Sequence, residues 1–413
     1  MGRGHGARIG LAVVALAVLA ACQPVKQAVS PGVPPRGDPP PEAPPDDAPP
    51  DAPPPPGAPT LSKQILLSNL SQPWDVAFTP NDDTMLFTEK GGTISAFLGG
   101  VKRSLGTVPD VKVAGEGGLL GMAIHPAYGS GSNFLYVCYA STNGTVSDLD
   151  NDVRVARFTV DLAYPANTAL SVQTPVVTGM PWTTGRHSGC RPRFGPDGKL
   201  WVTTGDSATG IVPVNLNSLG GKVLRVNADG SPAPGNPFIG TAGDDRVYTY
   251  GHRNVQGIAF RPGSGQAYSL EHGTSRDDEV NRLVSGGNYG WDGDNDGDSG
   301  YEESVPMTDT TQFPNAIGAV WNSGSPTIAP SGGTFLSGPQ WGTWDGALAM
   351  AILKDMRVRI LFLDSAGTST TGFVDVLEDG IRLRSVVQGP DGNLYVTTDA
   401  SGTSGQIWRV VPS

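Results

Sequence analysis

Cysteine, histidine and long apolar runs are scarce in this 413-residue chain. It has three cysteines, five histidines and no C-x-x-C-H motif, which argues against covalently bound haem. No cluster of cysteines and histidines suggests a zinc site. Lys and Arg total 28 against 39 Asp and Glu, and the net charge of −11 argues against a nucleic-acid partner. No segment after residue 60 sustains the apolar period of a helix.

The N-terminal sixty residues differ in composition from the rest. Arg3 and Arg8 precede an apolar run over residues 9–21 that is too short for a permanent membrane-spanning helix. The run ends in Leu-Ala-Ala-Cys at Cys22 and resembles a bacterial lipobox, which predicts cleavage before Cys22 and lipidation of its thiol. The alternative is an ordinary signal peptide cut near Ala21. Both interpretations predict export, and the first predicts a lipid anchor in the bacterial cell envelope, facing the periplasm or the surface.

Proline dominates the next segment and sets the domain boundaries. Because proline fixes φ and lacks an amide donor, residues 22–60 are predicted to be a disordered, extended linker behind the lipidated cysteine. We therefore predict a signal peptide over 1–21, this linker over 22–60 and one folded domain over 61–413. The domain has two cysteines, Cys138 and Cys190, in a compartment where disulfides persist, and the sequence leaves their pairing open.

Short runs rich in β-branched and aromatic residues alternate with Gly, Pro, Asn and Asp throughout the domain, as in all-β proteins. An apolar strand that runs into X-Pro recurs six times, with prolines at Pro80, Pro126, Pro196, Pro262, Pro330 and Pro390. Six copies of one β-unit predict a six-bladed β-propeller, and the alternative is a sandwich or barrel in which the proline spacing is accidental. The strand near Gln64–Leu70 is predicted to join the last blade and cover its edge.

Three polar segments carry candidate chemistry. They are EHGTSRDDEVNRLVSGGNYGW from Glu271 to Trp291, TTGRHSGCRPRFGPDG around His187, and GHRNVQGIAF around Arg253. Together they resemble segments of the soluble aldose sugar and glucose/sorbosone dehydrogenases, β-propellers that oxidise sugars with pyrroloquinoline quinone (PQQ). The resemblance extends over residues 64 to 413.

This resemblance implies that His187 is the catalytic base. It would take the proton from the sugar hydroxyl while hydride passes to the quinone. We expect His187, in a loop between glycines, to be exposed and to keep a pKa near neutrality. The alternative is a histidine that only hydrogen-bonds a loop carbonyl.

The resemblance also implies a PQQ site. PQQ has three carboxylates and an ortho-quinone, so its site needs cations and amide donors. Arg253 would stabilise the developing oxyanion, and the matching cofactor contacts are Asn254, Lys354, Arg382 and Arg384. Arg382 and Arg384 are two residues apart and would share one face of a strand, which is costly unless an anion lies between them.

Calcium is the second cofactor implied. Backbone oxygens at positions that match Gly273 and Thr274 would hold the calcium that polarises the quinone, and Asp278, Glu279 and the Tyr289 carbonyl would serve a second, structural calcium. The segment from Asp292 to Glu303 fits an EF-hand loop pattern, which makes Asp292, Asp294 and Asp296 candidate ligands. The alternative for this segment is a solvated turn.

Four residues depart from the glucose dehydrogenase pattern: Ser325, Ser207, Glu116 and Arg186. Because they fall in the sugar pocket and its stacking wall, the aldose/sorbosone branch is the closer match. The prediction is PQQ- and calcium-dependent oxidation of an aldose or polyol hydroxyl, with electrons passed to a soluble or membrane acceptor. The alternatives are a non-catalytic propeller that binds a glycan or protein and, third, a calcium-dependent lactonase.

Overall fold

The computed structural model describes residues 1–2, 57–144, 150–163, 169–294, 297 and 300–413. All but two residues of the predicted signal peptide, most of the linker and the candidate ligand Asp296 therefore lie outside the described residues. Within the described ranges, no helix is long and apolar enough to cross a membrane. The one helical element with assigned bounds is a short 3-10 segment, Pro339–Trp344.

The described residues contain twenty-four strands, which form six antiparallel sheets of four strands each. Blade 1 comprises β2 (Pro73–Phe78), β3 (Met85–Glu89), β4 (Thr93–Leu98) and β5 (Val101–Thr107). Blade 2 comprises β6 (Leu119–Ile124), β7 (Phe134–Ser141), β8 (Asp152–Val160) and β9 (Leu170–Met180). Blade 3 comprises β10 (Gly189–Phe194), β11 (Leu200–Thr204), β12 (Lys222–Val226) and β13 (Val247–Tyr250).

The other three blades repeat this plan. Blade 4 comprises β14 (Val255–Phe260), β15 (Ala267–Glu271), β16 (Glu279–Arg282) and β17 (Trp321–Asn322). Blade 5 comprises β18 (Pro330–Phe335), β19 (Leu348–Ile352), β20 (Arg357–Leu363) and β21 (Thr370–Val376). Blade 6 comprises β22 (Leu383–Gln388), β23 (Leu394–Thr398), β24 (Gly405–Pro412) and β1 (Leu61–Leu70).

The innermost strands β2, β6, β10, β14, β18 and β22 contact one another in sequence, and β22 returns to β2. This ring confirms the six-bladed propeller. Glycines let the inner strands approach closely. A Cβ on Gly121 would lie 2.9 Å from the Arg191 Cα atom, and one on Gly332 would lie 2.8 Å from the Ser385 Cα atom. One cluster of buried apolar residues fills each space between adjacent blades.

The proline repeat is confirmed in five blades and wrong in one. In blades 1, 2, 3, 4 and 6 the proline lies two residues beyond the inner strand. Pro330 instead opens β18, and the position two residues beyond that strand is Ser337. The sequence pattern misled there because the segment before Pro330 is also apolar, although it belongs to the loop that enters the blade.

The last blade closes the ring as predicted. Strand β1 pairs antiparallel with β24, so the start of the domain covers the edge of the final blade. The paired backbone extends to Thr60, whose amide bonds to the carbonyl of Ser413 at 2.8 Å. The pairing left open by the sequence is a disulfide, Cys138–Cys190, which joins blade 2 to blade 3.

A cluster of buried charges lies on the axis, and we call Asp75, Arg191, Arg193 and Ser385 the axial hub. Asp75 is fully buried on β2 and bonds to both arginines of β10, at 2.6 Å to Arg191 and 2.8 Å to Arg193. Ser385 of β22 donates to the same carboxylate at 2.8 Å. Although burial opposes ionisation, the two arginines outweigh it and hold the pKa of Asp75 at about 2.

Candidate active site

Polar residues converge on one face of the propeller, where the second strand of each blade ends. Lys90 follows β3, Asp206 follows β11, His272 follows β15, Lys354 follows β19 and Asp399 follows β23. Loops that enter the inner strands bring in further side chains, which are Glu116, His187, Arg253 and Asn254. Equivalent chain ends in a radial array lie around one axis, so residues distant in sequence meet there.

His187 is paired with a buried carboxylate. Its Nδ1 atom lies 2.7 Å from Oδ1 of Asp206, a residue with no exposed surface. Tyr301 also donates to Asp206, at 2.8 Å to Oδ2, and its hydroxyl oxygen is 3.1 Å from His187 Nδ1. Because both ring contacts are made by Nδ1, the favoured tautomer has its proton on Nδ1 and leaves Nε2 unprotonated. This arrangement suits a general base held by an orienting carboxylate.

The expectation that His187 is exposed is wrong. The residue is only 5% exposed, although it lies in a loop with glycines on both sides. The glycines beside His187 reflect only the local chain, whereas Asp206 and Tyr301 come from other loops and cover the ring. The alternative of a bond to a loop carbonyl is also wrong for Nδ1, since its partners are a carboxylate and a phenol.

Arg253 lies 4% exposed beside the axis and contacts two backbone carbonyls. One of its terminal nitrogens donates to the carbonyl of Gly273 at 2.6 Å and to that of His272 at 3.2 Å. Its backbone amide donates to Glu271, which also accepts a bond from His252 Nδ1 at 2.8 Å. The guanidinium group is therefore held by the loop that the sequence singled out.

Asn254 joins Arg253 to the neighbouring blades through a carboxylate. Its amide nitrogen donates to Oε2 of Glu116 at 3.0 Å, and Gln256 donates to the same oxygen at 3.1 Å. Burial alone would raise the pKa of Glu116, but nearby His272, His187, Asn254 and Arg384 outweigh it and lower that pKa. Glu116, a departure from the glucose dehydrogenase pattern, therefore carries a negative charge at the centre of the site.

Arg382 and Arg384 do not share an unbalanced strand face. Both contact Asp399, with Arg384 at 2.8 Å and Arg382 at 3.4 Å from its Oδ2 atom. Arg382 precedes β22 and its side chain is 49% exposed, whereas the side chain of Arg384 is 11% exposed. The anion that the sequence argument required between them is supplied by the chain itself. Only Arg384 belongs to the buried part of the site.

Lys354 lies at the exposed rim and Lys90 lies deeper. The ammonium of Lys354 donates to the Thr327 hydroxyl at 3.0 Å. Lys90 donates to the carbonyl of Gly115 at 2.8 Å, and burial together with the charge of Arg384 lowers its pKa. The site therefore has a cationic rim and a partly buried cationic interior.

Three buried nitrogens of this site have no hydrogen-bond partner among the described residues: Arg253 Nε, Arg384 Nε and His272 Nε2. The His272 ring lies close enough to both arginines and to Glu116 for their charges to act on it. Burial lowers the pKa of His272 and favours the neutral ring. Buried donors normally have partners, so this group fits an anionic ligand with several oxygen atoms, as PQQ is.

The candidate calcium ligands are more dispersed. Among the described residues, no three His, Cys, Asp or Glu side chains group together in a way that could hold a metal ion. The carbonyls of His272 and Gly273 both accept hydrogen bonds from Arg253, so this loop presents oxygen atoms of the kind that bind cations. Thr274 follows in the same loop and is half-buried.

The remaining candidate ligands are held by protein partners. Asp278 accepts bonds from the amides of Gly273, Ile328 and Ala329, at 2.8, 2.5 and 2.7 Å. Glu279 bonds to Asn281 and Thr308, and its pKa is raised to about 8 by burial and by Glu271.

Tyr289 stacks on His252 with ring centroids 4.5 Å apart, outside the group of residues around His187. Asp292 accepts bonds from the Asp294 amide at 3.2 Å and from Gln312 at 2.8 Å. The EF-hand-like calcium site, which also includes Asp296, stays a prediction.

Sequence reasoning missed Asp206, Asp399, Lys90 and Tyr301. A signal for the first two is present: Asp206 follows LWVTTG and Asp399 follows LYVTT, the same strand in blades 3 and 6. Aligning the repeats by their second strands, rather than by their prolines, would have placed both carboxylates on the same face as His187. No local signal marks Tyr301.

Comparison with known proteins agrees with this geometry. A family model described as glucose/sorbosone dehydrogenase matches residues 70–409. The chain belongs to this family. The aldose sugar dehydrogenase YliI of Escherichia coli is 31% identical over 367 residues, which cover 86% of this chain and 93% of that protein. The quinoprotein glucose dehydrogenase B of Acinetobacter calcoaceticus is 28% identical, covering 82% of this chain and 86% of that one.

A solved structure shows the same likeness. The PQQ-bound form of an aldose sugar dehydrogenase from Streptomyces coelicolor matches with a TM-score of 0.68 and 31% identity, over 86% of this chain and all of that chain. The resemblance inferred from the three polar segments is therefore confirmed.

Proposed function

We propose that this chain oxidises an aldose or a related sugar or polyol hydroxyl, with PQQ and calcium as cofactors. One observation carries the proposal: the His187–Asp206 pair lies in the same site as three buried nitrogens that lack partners in the described part of the chain. A base and an anion site side by side are what PQQ-dependent alcohol oxidation requires.

His187 would take the substrate hydroxyl proton on Nε2. Asp206 would keep the ring in the Nδ1–H tautomer and stabilise the imidazolium that forms. Glu116 would position the sugar, because the two hydrogen bonds that its side chain accepts from described residues end on Oε2 and leave Oε1 for a substrate hydroxyl. Bound PQQ would supply the acceptor for the two electrons and the hydrogen of the C–H bond.

Arg253, Asn254, Lys354, Arg382 and Arg384 would hold the cofactor, with Arg253 beside the developing oxyanion. Of the two arginines on Asp399, Arg384 would contribute more because it is largely buried. The carbonyls of Gly273 and Thr274 would hold the calcium ion that increases the electrophilicity of the quinone. The Gly273 carbonyl, which accepts from Arg253 together with the His272 carbonyl, is an oxygen of the kind that calcium prefers.

Export and a lipid anchor at Cys22 form a second part of the proposal, supported by the lipobox-like segment and by the disulfide between blades 2 and 3. Electrons would then pass to a soluble or membrane acceptor outside the cytoplasm. Expression of the full chain with labelled fatty acid should label the protein, and Cys22→Ser should abolish the label. Labelling that persists in that variant would contradict the anchor.

The deciding experiment is a titration of the purified full chain with PQQ in the presence of calcium, followed by absorbance as aldoses are added. We expect binding at micromolar PQQ and sugar-dependent bleaching of the quinone. Calcium chelation should abolish the bleaching, and added calcium should restore it. A chain that binds sugar but not PQQ would instead be the non-catalytic binding module.

A further inference from the structure

Tyr301 makes a contact that the chemistry above leaves unexplained. Its hydroxyl donates to Asp206 Oδ2 at 2.8 Å and lies 3.1 Å from His187 Nδ1, with the two ring centroids 5.9 Å apart. Burial and the charge of Asp206 raise the pKa of Tyr301 far above its ordinary value. The phenol therefore stays protonated and acts as a donor.

Tyr301 completes the hydrogen bonding of Asp206. Oδ1 of that carboxylate accepts from His187 and from the Ala208 amide, each at 2.7 Å. Oδ2 accepts from the Trp291 indole and from Tyr301, each at 2.8 Å. A carboxylate offers about four lone-pair sites, so Asp206 is saturated and held in one orientation.

Packing and hydrogen bonds around Tyr301 fix the position of its side chain. A Cβ on Gly293 would lie 2.9 Å from the Tyr301 ring, so glycine there allows close packing. The Glu302 amide donates to the Gly293 carbonyl at 2.7 Å, and Glu303 pairs with Arg186, the residue before His187. The end of the acidic segment is thereby fixed to the His187 loop.

We propose that Tyr301 is a positioning residue that holds the His187–Asp206 pair so that Nε2 of His187 faces the substrate. The inference rests on the proposed function, in which His187 is the base. It gives the end of the acidic segment a role that does not depend on calcium.

The charged and titratable groups that face His187 define what removal of the hydroxyl would do. Asp206 and Tyr301 contact the ring, Glu116 and Glu303 act on it electrostatically, and Arg186 lies next to it in the chain. In Tyr301→Phe, Asp206 keeps its charge and loses one donor. It should then stabilise the imidazolium more strongly, and the pKa of His187 should rise.

The test is Tyr301→Phe in the full chain, assayed for kcat and KM against pH with PQQ bound. We expect kcat to fall about tenfold at neutral pH with KM and PQQ affinity unchanged, and the acidic limb of kcat to move up by roughly one pH unit. The matched control is Tyr395→Phe, since Tyr395 also bonds to an aspartate, Asp391 at 3.0 Å, far from the site. An unshifted limb, or a change in KM alone, would overturn the proposal.

A double-mutant cycle tests whether Tyr301 acts through Asp206. Adding Tyr301→Phe to Asp206→Asn should cause no further loss in kcat, because the interaction is already gone. Independent, multiplied losses would contradict the role. Should the wild-type chain fail to turn over sugar, the His187 imidazole can be titrated by NMR in both chains. A higher pKa in Tyr301→Phe would uphold the positioning contact even though the proposed function had failed, and an equal pKa would remove it.

Discussion

The axial hub and the active site are two buried charge clusters on one axis, and they differ in how fully their hydrogen bonds are satisfied. In the hub, Arg191 has no exposed surface and its nitrogens bond to Asp75, Ser385 and two backbone carbonyls. In the site, Arg253 and Arg384 are nearly as buried, yet the Nε atom of each has no partner among the described residues.

Adjacent residues of one strand supply both clusters. Ser385 of β22 points to the hub, and Arg384 before it points to the site, because side chains alternate across a strand. The fold thus provides hydrogen-bond partners for every side-chain nitrogen of Arg191, whereas Arg253 and Arg384 each keep one nitrogen without a partner among the described residues. The complete set of bonds in the hub stabilises the fold, whereas the unpartnered nitrogens of Arg253 and Arg384 are donors that the proposed cofactor would satisfy.

The largest loss of stability is expected when the hub loses its carboxylate. Asp75→Ala leaves Arg191 buried without its carboxylate, and we expect the free energy of unfolding to fall by about 3–5 kcal/mol. Denaturant unfolding measures it. Asp379→Ala, which removes the half-exposed pair with Lys63, is the matched control and should cost less than about 1 kcal/mol. Equal losses in the two variants would mean that the hub has no special role.

Next in size is removal of the proposed base from the site. His187→Ala should lower turnover by about a hundredfold or more while PQQ affinity stays the same, since in the proposed function the ring accepts the proton and does not hold the cofactor. His125→Ala serves as control, because His125 packs against Phe134 and Phe194 beyond the far end of β6. Near-normal turnover in His187→Ala would assign the base to another residue.

The hub should also make the free energy of unfolding depend on pH in the acidic range. Asp75 has a pKa of about 2 in the folded chain against about 3.9 when unfolded, so its contribution is complete above pH 4 and is lost as pH falls towards 2. The difference corresponds to roughly 2 kcal/mol of stability. Unfolding curves at several pH values should show this slope in the wild type and a reduced one in Asp75→Asn. Identical slopes would exclude Asp75 as the source.

The smallest effect is expected at Lys354 on the rim of the site, where a substitution should change cofactor binding and leave stability the same. Lys354→Ala should weaken PQQ binding about tenfold through loss of a charged donor, and should leave the free energy of unfolding within about 0.5 kcal/mol of wild type. Lys199→Ala, a surface lysine bonded to Asn227, should change neither quantity. An unchanged PQQ titration in Lys354→Ala would place the cofactor elsewhere.

Much of this molecule could be predicted from local patterns. The alternation of strand and turn residues predicted an all-β domain, and the repeated strand before proline predicted six blades, with an error only at Pro330. Family motifs pointed to His187, Arg253, Asn254 and Arg384, which lie in the buried part of the candidate site, and also to Lys354 and Arg382, which lie at its exposed edge. Such patterns succeed because each blade forms largely from neighbouring strands.

Partners distant in the chain could not be predicted in the same way. Asp206 lies 19 residues after His187, and Tyr301 lies 114 residues after it. Asp399 pairs with Arg384 across the β22–β23 hairpin. Two like charges on one strand do not by themselves predict a carboxylate at the end of the next strand. In each case, the loops that meet at the axis determine which side chains become partners.

The chemical inventory of this protein can be read from its sequence: a six-bladed propeller of the glucose/sorbosone dehydrogenase family, a loop histidine, and cations sufficient for a polyanion. The burial and hydrogen bonding of those groups follow from the tertiary structure. Radial closure brings Asp206 and Tyr301 onto His187, buries the ring and satisfies Arg191, and it leaves Arg253 and Arg384 each with one nitrogen that no described residue contacts. The physical reason is that burial and hydrogen bonding depend on which loops meet at the axis, and that is fixed only when all six blades have closed.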